Sequence, residues 1–168
     1  MITPNKEEYS FKVPVILVLF FALLCLLGLN APLNGDEAKT YLEHISSKPS
    51  QLLFQYAGPN QHTLFSILSN ASMRIFGENE TAFRVPVFLA AIISIFLIHR
   101  LGQSLWNSKT ATISSLLMIG SYHHFYWAQH GRGYALTEML ALILVFGAIL
   151  LLEDKSFNRG TWVLIFSG

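Results

Sequence analysis

Uncharged apolar stretches, each near the length of a bilayer crossing, alternate along this chain with short polar segments. Between Lys12 and Asp36 no residue carries a charge, and residues 13–29 are almost wholly apolar. At about 1.5 Å per residue, a helix of this length nearly matches a hydrocarbon core of roughly 30 Å. The run is longer than the roughly 7–15 apolar residues of a signal peptide and has no A-x-A cleavage site, so it reads as a retained span. A second block covers residues 85–98 between Arg84 and Arg100, with Phe83 and Leu101 extending it. Arginines at span ends are expected to snorkel to the membrane surface. A third stretch, about 111–128, has no Lys, Arg, Asp or Glu between Lys109 and Arg132; a fourth, 134–152, holds one acid, Glu138. A fifth begins at Thr161, and the sequence stops inside it, which reads as part of a longer protein.

The pattern predicts an all-α fold: a polytopic bundle with spans at about 13–30, 83–101, 111–128, 134–152 and from 161 onward. Residues 1–12 form a cytoplasmic N-terminus and 31–82 an outer loop containing short interfacial helices. In that loop Asn34 and Glu37 have capping-box spacing and start a helix over 37–46. Breaks follow at Lys48-Pro49-Ser50 and Gly58-Pro59-Asn60. Leu64, Ile67, Leu68, Ala71 and Ile75 then recur at helical spacing, an amphipathic pattern suited to the membrane plane or to packing on the outer domain. Lys6, Lys12, Arg100, Lys109, Lys155 and Arg159 fall on one side if every span crosses, and that side is read as cytoplasmic.

Composition agrees. Hydrophobic residues make up 52% and charged residues 12% of the 168, against about a quarter charged in soluble domains; mean hydropathy is +0.46. A net charge of +1 provides no basic field to gather nucleic acid. The single cysteine, Cys25, lies inside the first apolar run and offers neither a disulfide framework nor a thiolate metal site.

Candidate chemistry gathers at the outer rim. Asp36-Glu37 follows the first span; as a bare dipeptide it complements the positive end of a helix dipole. A carboxylate there can also take a proton from a hydroxyl while its neighbour orients the nucleophile or binds a metal. Arg132, between two spans, either snorkels or grips a phosphate with its planar fork. His123, His124 and His130 have no metal-ligand spacing and read as interfacial or bundle-facing. The sequons Asn70-Ala-Ser72 and Asn79-Glu-Thr81 are common by chance and are assigned no function.

Four segments, in register with the spans, resemble the C-type (GT-C) membrane glycosyltransferases, in the branch of protein mannosyltransferases, aminoarabinose transferases and rhizobial lipopolysaccharide glycosyltransferases. They are Asp36-Glu37-Ala38 with Tyr41, Asn60-Gln-His-Thr-Leu64, Phe76-Gly-Glu-Asn-Glu-Thr-Ala-Phe-Arg-Val-Pro86 and Gln129-His-Gly-Arg-Gly-Tyr-Ala-Leu136. The chain departs from that pattern at Thr63, where relatives often have proline, and at His130, where many have an acid. The resemblance implies inverting transfer of a sugar from a polyprenyl-phosphate carrier to a lipid, glycan or protein acceptor. The site would face the periplasm or outside of a plasma or inner membrane. It implies Asp36 as catalytic base beside Glu37, Arg132 on the donor phosphate, and His62, Gln129 and Tyr134 on substrate. No cofactor is required by the sequence, and a divalent metal is left open. The rival readings are a polytopic transporter or flippase, which would favour charged or proline-broken mid-span positions, and a non-catalytic assembly protein.

Overall fold

The computed structural model describes residues 11–45 and 61–153, and among these every regular element is helical. The breaks at Lys48-Pro49-Ser50 and Gly58-Pro59-Asn60, the charges Lys6, Lys155 and Arg159, and the stretch from Thr161 lie outside the described residues.

Helix α1, Lys12–Leu29, buries one seam of Pro14, Leu17, Phe21, Cys25 and Leu29. Its other faces, including Ile16, Leu19, Leu23 and Leu27, are exposed. A helix apolar on every side but buried along one stripe fits a lipid environment, where exposed leucine costs nothing. Helix α2, Gly35–Thr40, starts on the expected capping box: the Asn34 side chain accepts from the Glu37 amide at 2.9 Å, and the Glu37 carboxylate accepts from the Asn34 amide at 3.1 Å. It continues through a π-helical turn, Tyr41–Ile45.

Helix α3, Thr63–Phe76, is amphipathic as expected, and of the two arrangements left open its serine-bearing face is the one turned inward. Phe65, Ser66, Ser69, Ser72 and Met73 are buried, whereas Leu64, Leu68 and Ile75 are 46%, 38% and 73% exposed. Serines let the helix approach its neighbour closely, and Ser69 Oγ donates to the Phe83 carbonyl at 2.8 Å. The apolar stripe is left facing outward, as suits a helix lying at the membrane surface. Asn70, the first sequon asparagine, ties α3 to the π turn by donating to the Ile45 carbonyl at 2.7 Å.

Helix α4, Glu80–Leu105, is the central post, contacting α1, α3 and every later helix. Asn79 caps it, accepting from the Ala82 amide at 2.8 Å. Its buried surface includes Ala90, Ala91, Ser94 and Gly102, small residues that allow close helix approach. A Cβ on Gly102 would stand 2.7 Å from Ala111 Cα. Arg84, expected to snorkel, is instead 2% exposed.

The third apolar stretch is not one helix. It forms α5, Ser108–Ile119, and α6, Tyr122–Ala128. Gly120 closes the first, and the Ser121 hydroxyl caps the second by accepting from the His124 amide at 3.5 Å. Neither residue is charged, so hydropathy runs straight through the break. Alone, α5 spans roughly 18 Å, but α5 and α6 together return the chain to the end where α1 stops. Helix α7, Tyr134–Glu153, then leaves that end again. Among the described residues three helical segments are long and apolar enough to cross a membrane: Lys12–Leu29, Glu80–Leu105 and Tyr134–Leu151.

Candidate active site

Four chain segments meet where α1 ends: the capped start of α2, the residue before α3, the start of α4, and the turn from α6 to α7. Glu37 is their hub. It is fully buried, and Arg84 donates to its two oxygens through Nε at 2.8 Å and Nη2 at 2.7 Å. The Gly131 amide donates to Oε1 at 2.6 Å and the Asn34 amide to Oε2 at 3.1 Å. Burial alone would raise the Glu37 pKa, but the bonds from Arg84, Gly131 and Asn34 outweigh it, and the net shift is downward. Both oxygens are committed to anchoring, which departs from the expected part in orienting a nucleophile or binding a metal.

Arg84 does a second job. Its Nη1 donates to the carbonyls of Leu29, at 3.0 Å, and Ala31, and its Nη2 to that of Pro32 at 3.3 Å. These carbonyls lie at and just beyond the last turn of α1, where intrahelical donors run out and a cation also complements the helix dipole. Nothing in the local sequence around Arg84 marks this role, because its partners lie about fifty residues earlier.

Asp36, one residue before Glu37, points the other way and is 75% exposed on its side chain. Arg132 Nη1 lies 3.3 Å from Asp36 Oδ2, with the arginine side chain only 10% exposed. The Arg132 Nε donates to His62 Nε2 at 3.1 Å. His62 must therefore present an unprotonated Nε2, with its proton on Nδ1. Burial foremost, then the charge of Arg132 and the nearby His44, lowers the His62 pKa from its ordinary value of 6.5. The result is a semi-buried guanidinium held edge-on by a neutral imidazole, with an exposed carboxylate across from it.

Glycines make this approach possible. A Cβ on Gly133 would come within 2.9 Å of the His62 ring, and one on Gly131 would overlap the Phe83 ring. Tyr134 is 41% exposed, its ring 4.1 Å from that of Trp127 and 5.4 Å from that of His62. Gln129 does not join the group. Its amide is packed on Gly28 of α1, where an added Cβ would overlap it, and it donates to the Phe125 carbonyl at 3.4 Å. His130 stacks on Tyr126 with ring centres 3.8 Å apart. Among the described residues no three His, Cys, Asp or Glu side chains converge as a metal-ligand set.

A cavity of about 180 Å³ lies beside His62 and Gly133, walled by Phe65, Leu136 and Thr137. It shares Leu136 with an apolar groove of about 350 Å³ between α3, α4 and α7. His62, which accepts from Arg132, lines the smaller cavity with Leu136, so a charged grip and an apolar trench adjoin.

A family model described as dolichyl-phosphate-mannose-protein mannosyltransferase matches residues 62–168. The match begins at His62 and takes in Arg84 and Arg132; Asp36 and Glu37 precede it and are joined to it through the contacts above. Comparison with curated proteins and with solved structures gave no match.

Proposed function

This chain belongs to the dolichyl-phosphate-mannose-protein mannosyltransferase family, a family of membrane glycosyltransferases of the GT-C type, and from that premise we propose that it transfers a sugar from a polyprenyl-phosphate carrier to an acceptor on the non-cytoplasmic membrane face. The observation that carries this reading is the 3.3 Å approach of Arg132 to the exposed Asp36.

The chemistry follows from the two groups. In a polyprenyl-phosphate sugar the anomeric carbon is bonded to a phosphate oxygen. Attack by an acceptor O–H from the opposite face forms the new C–O bond, breaks the bond to phosphate and inverts the centre. The acceptor proton needs a base, and the departing prenyl phosphate gains negative charge without needing a proton. Arg132 is suited to hold that charge because its fork is oriented beforehand by His62 and shielded from water. Asp36 is suited to take the proton. Asp36 faces Arg132; a donor phosphate that takes up the guanidinium leaves the carboxylate to act as base. The apolar groove that meets the His62 cavity at Leu136 offers a path for the prenyl chain, and Tyr134 offers a ring for the sugar. Glu37 acts through others, fixing Arg84 and the Gly131 amide.

The test is transfer by the full-length protein in membranes with a panel of polyprenyl-phosphate sugars. Asp36→Asn is expected to lose transfer by a factor of about 100–10,000 with membrane insertion retained. Arg132→Ala is expected to raise the donor KM more than the acceptor KM. Full activity in Asp36→Asn would remove it from the mechanism, and an unchanged donor dependence in Arg132→Ala would remove the phosphate role.

A further inference from the structure

One pair of ionisable side chains, buried His124 and partly exposed Glu138, meets away from the reacting residues. Glu138 stands one turn inside α7, the only acid in its apolar stretch. A carboxylate within a membrane helix is costly unless a partner satisfies it. Its Oε2 lies 2.8 Å from Nδ1 of His124 on α6. His124 is 1% exposed, with Phe21 of α1 against its ring at 4.9 Å between centres. The ring is clamped so that Nδ1 meets the carboxylate.

The position of the pair gives it meaning. Helices α6 and α7 are joined by only residues 129–133, and that turn carries the Gly131 amide that meets Glu37 and the Arg132 guanidinium that meets Asp36 and His62. The tip of the hairpin is pinned by Glu37; its body is crossed by His124–Glu138. A seven-residue helix such as α6 has little stability of its own, so its direction must be set by neighbours. Contacts of Phe21 on α1 with the His124 and Phe125 rings hold it down but tolerate rotation and sliding, whereas a hydrogen bond fixes both distance and angle.

Resting on the transfer reading above, we infer that His124 and Glu138 are a positioning pair that sets the splay of α6 and α7 and thereby the reach of Arg132 towards the donor phosphate. They touch no reacting atom. The Glu138 carboxylate accepts from His124 Nδ1, or shares one proton with it; either state fixes the same geometry.

The experiment compares wild-type, Glu138→Leu, Glu138→Gln and the double variant His124→Phe/Glu138→Leu of the full-length protein in lipid nanodiscs. Donor kcat/KM for a polyprenyl-phosphate sugar that the wild type turns over is measured beside acceptor KM, thermal midpoint, and amide hydrogen exchange in residues 129–133. Glu138→Leu and the double variant are expected to lose about 10–100-fold in donor kcat/KM, the scale of a reacting group displaced by about an ångström. Acceptor KM should hold, and exchange at the turn should quicken. The double variant removes both polar groups, so its thermal midpoint should stay near wild type. Glu138→Gln keeps an acceptor for Nδ1 and should recover most of the loss. A double variant with wild-type donor kinetics and wild-type exchange overturns the inference. So does a loss that raises donor and acceptor KM together with a falling midpoint, because that is general loosening. Should the wild type turn over no such sugar, the transfer reading fails by itself, while exchange at the turn still decides whether the pair holds it.

Discussion

Asp36 and Glu37 are chain neighbours with opposite fates, because successive residues on a helix point about 100° apart. Glu37 is drawn inward to Arg84 and Gly131; Asp36 stays 75% exposed. The dipeptide marked the spot, but which acid was free for chemistry depended on where the partners lay. His62 makes the residue-scale prediction. Its lowered pKa keeps the imbalance of charge favourable: neutral His62 accepts from Arg132, and a proton on Nε2 would set one cation against another. The bond is fully present above the ordinary histidine value of 6.5 and is lost as pH falls through the depressed value. Donor kcat/KM should therefore fall on acidification below that range. His62→Gln, whose amide oxygen accepts at every pH, should flatten that acid limb in a pH–rate profile. Identical acid limbs in the two proteins would contradict this role.

At the scale of elements, the capping box of α2 was legible because its partners lie three residues apart. The Gly120–Ser121 break was not, since both residues are uncharged and the hydropathy of residues 111–128 hides it. For α3 the period was legible and the inward side was not: its serines pack on α4, and its leucines face out. Arg84 couples elements most strongly, joining the end of α1, the start of α4 and the base of α2 through Glu37. Arg84→Met should cost about 3–5 kcal/mol, because Glu37 would be left buried with no cation. Removing both partners, in Arg84→Met/Glu37→Leu, should cost less than the single change. Thermal or denaturant unfolding of the purified variants decides it; a double variant no more stable than Arg84→Met would mean that Arg84 works mainly through the α1 carbonyls.

For the whole molecule, the contact of Asp36 with Arg132 requires α5 and α6 to carry the chain back across whatever thickness α4 traverses. In a background with Cys25→Ala, cysteines at Gly35 and at Tyr134, 41% exposed where α7 begins, should react with a membrane-impermeant reagent from one face. A cysteine at Trp106, 63% exposed at the far end of α4, should react only from the other. Labelling of all three from a single side would break the topology and with it the site. The all-helical class, the apolar stretches, and the identity of Asp36, Arg132 and His62 as candidates were determined by the sequence alone. Hydropathy and short motifs are local properties, set by residues a few positions apart. Only the tertiary structure decided that Glu37 is an anchor, that Arg84 is buried, that Gln129 turns towards α1, and that His124 meets Glu138. Those outcomes depend on which distant group satisfies a buried charge or a close contact, and spacing along one chain does not encode that choice in any local window.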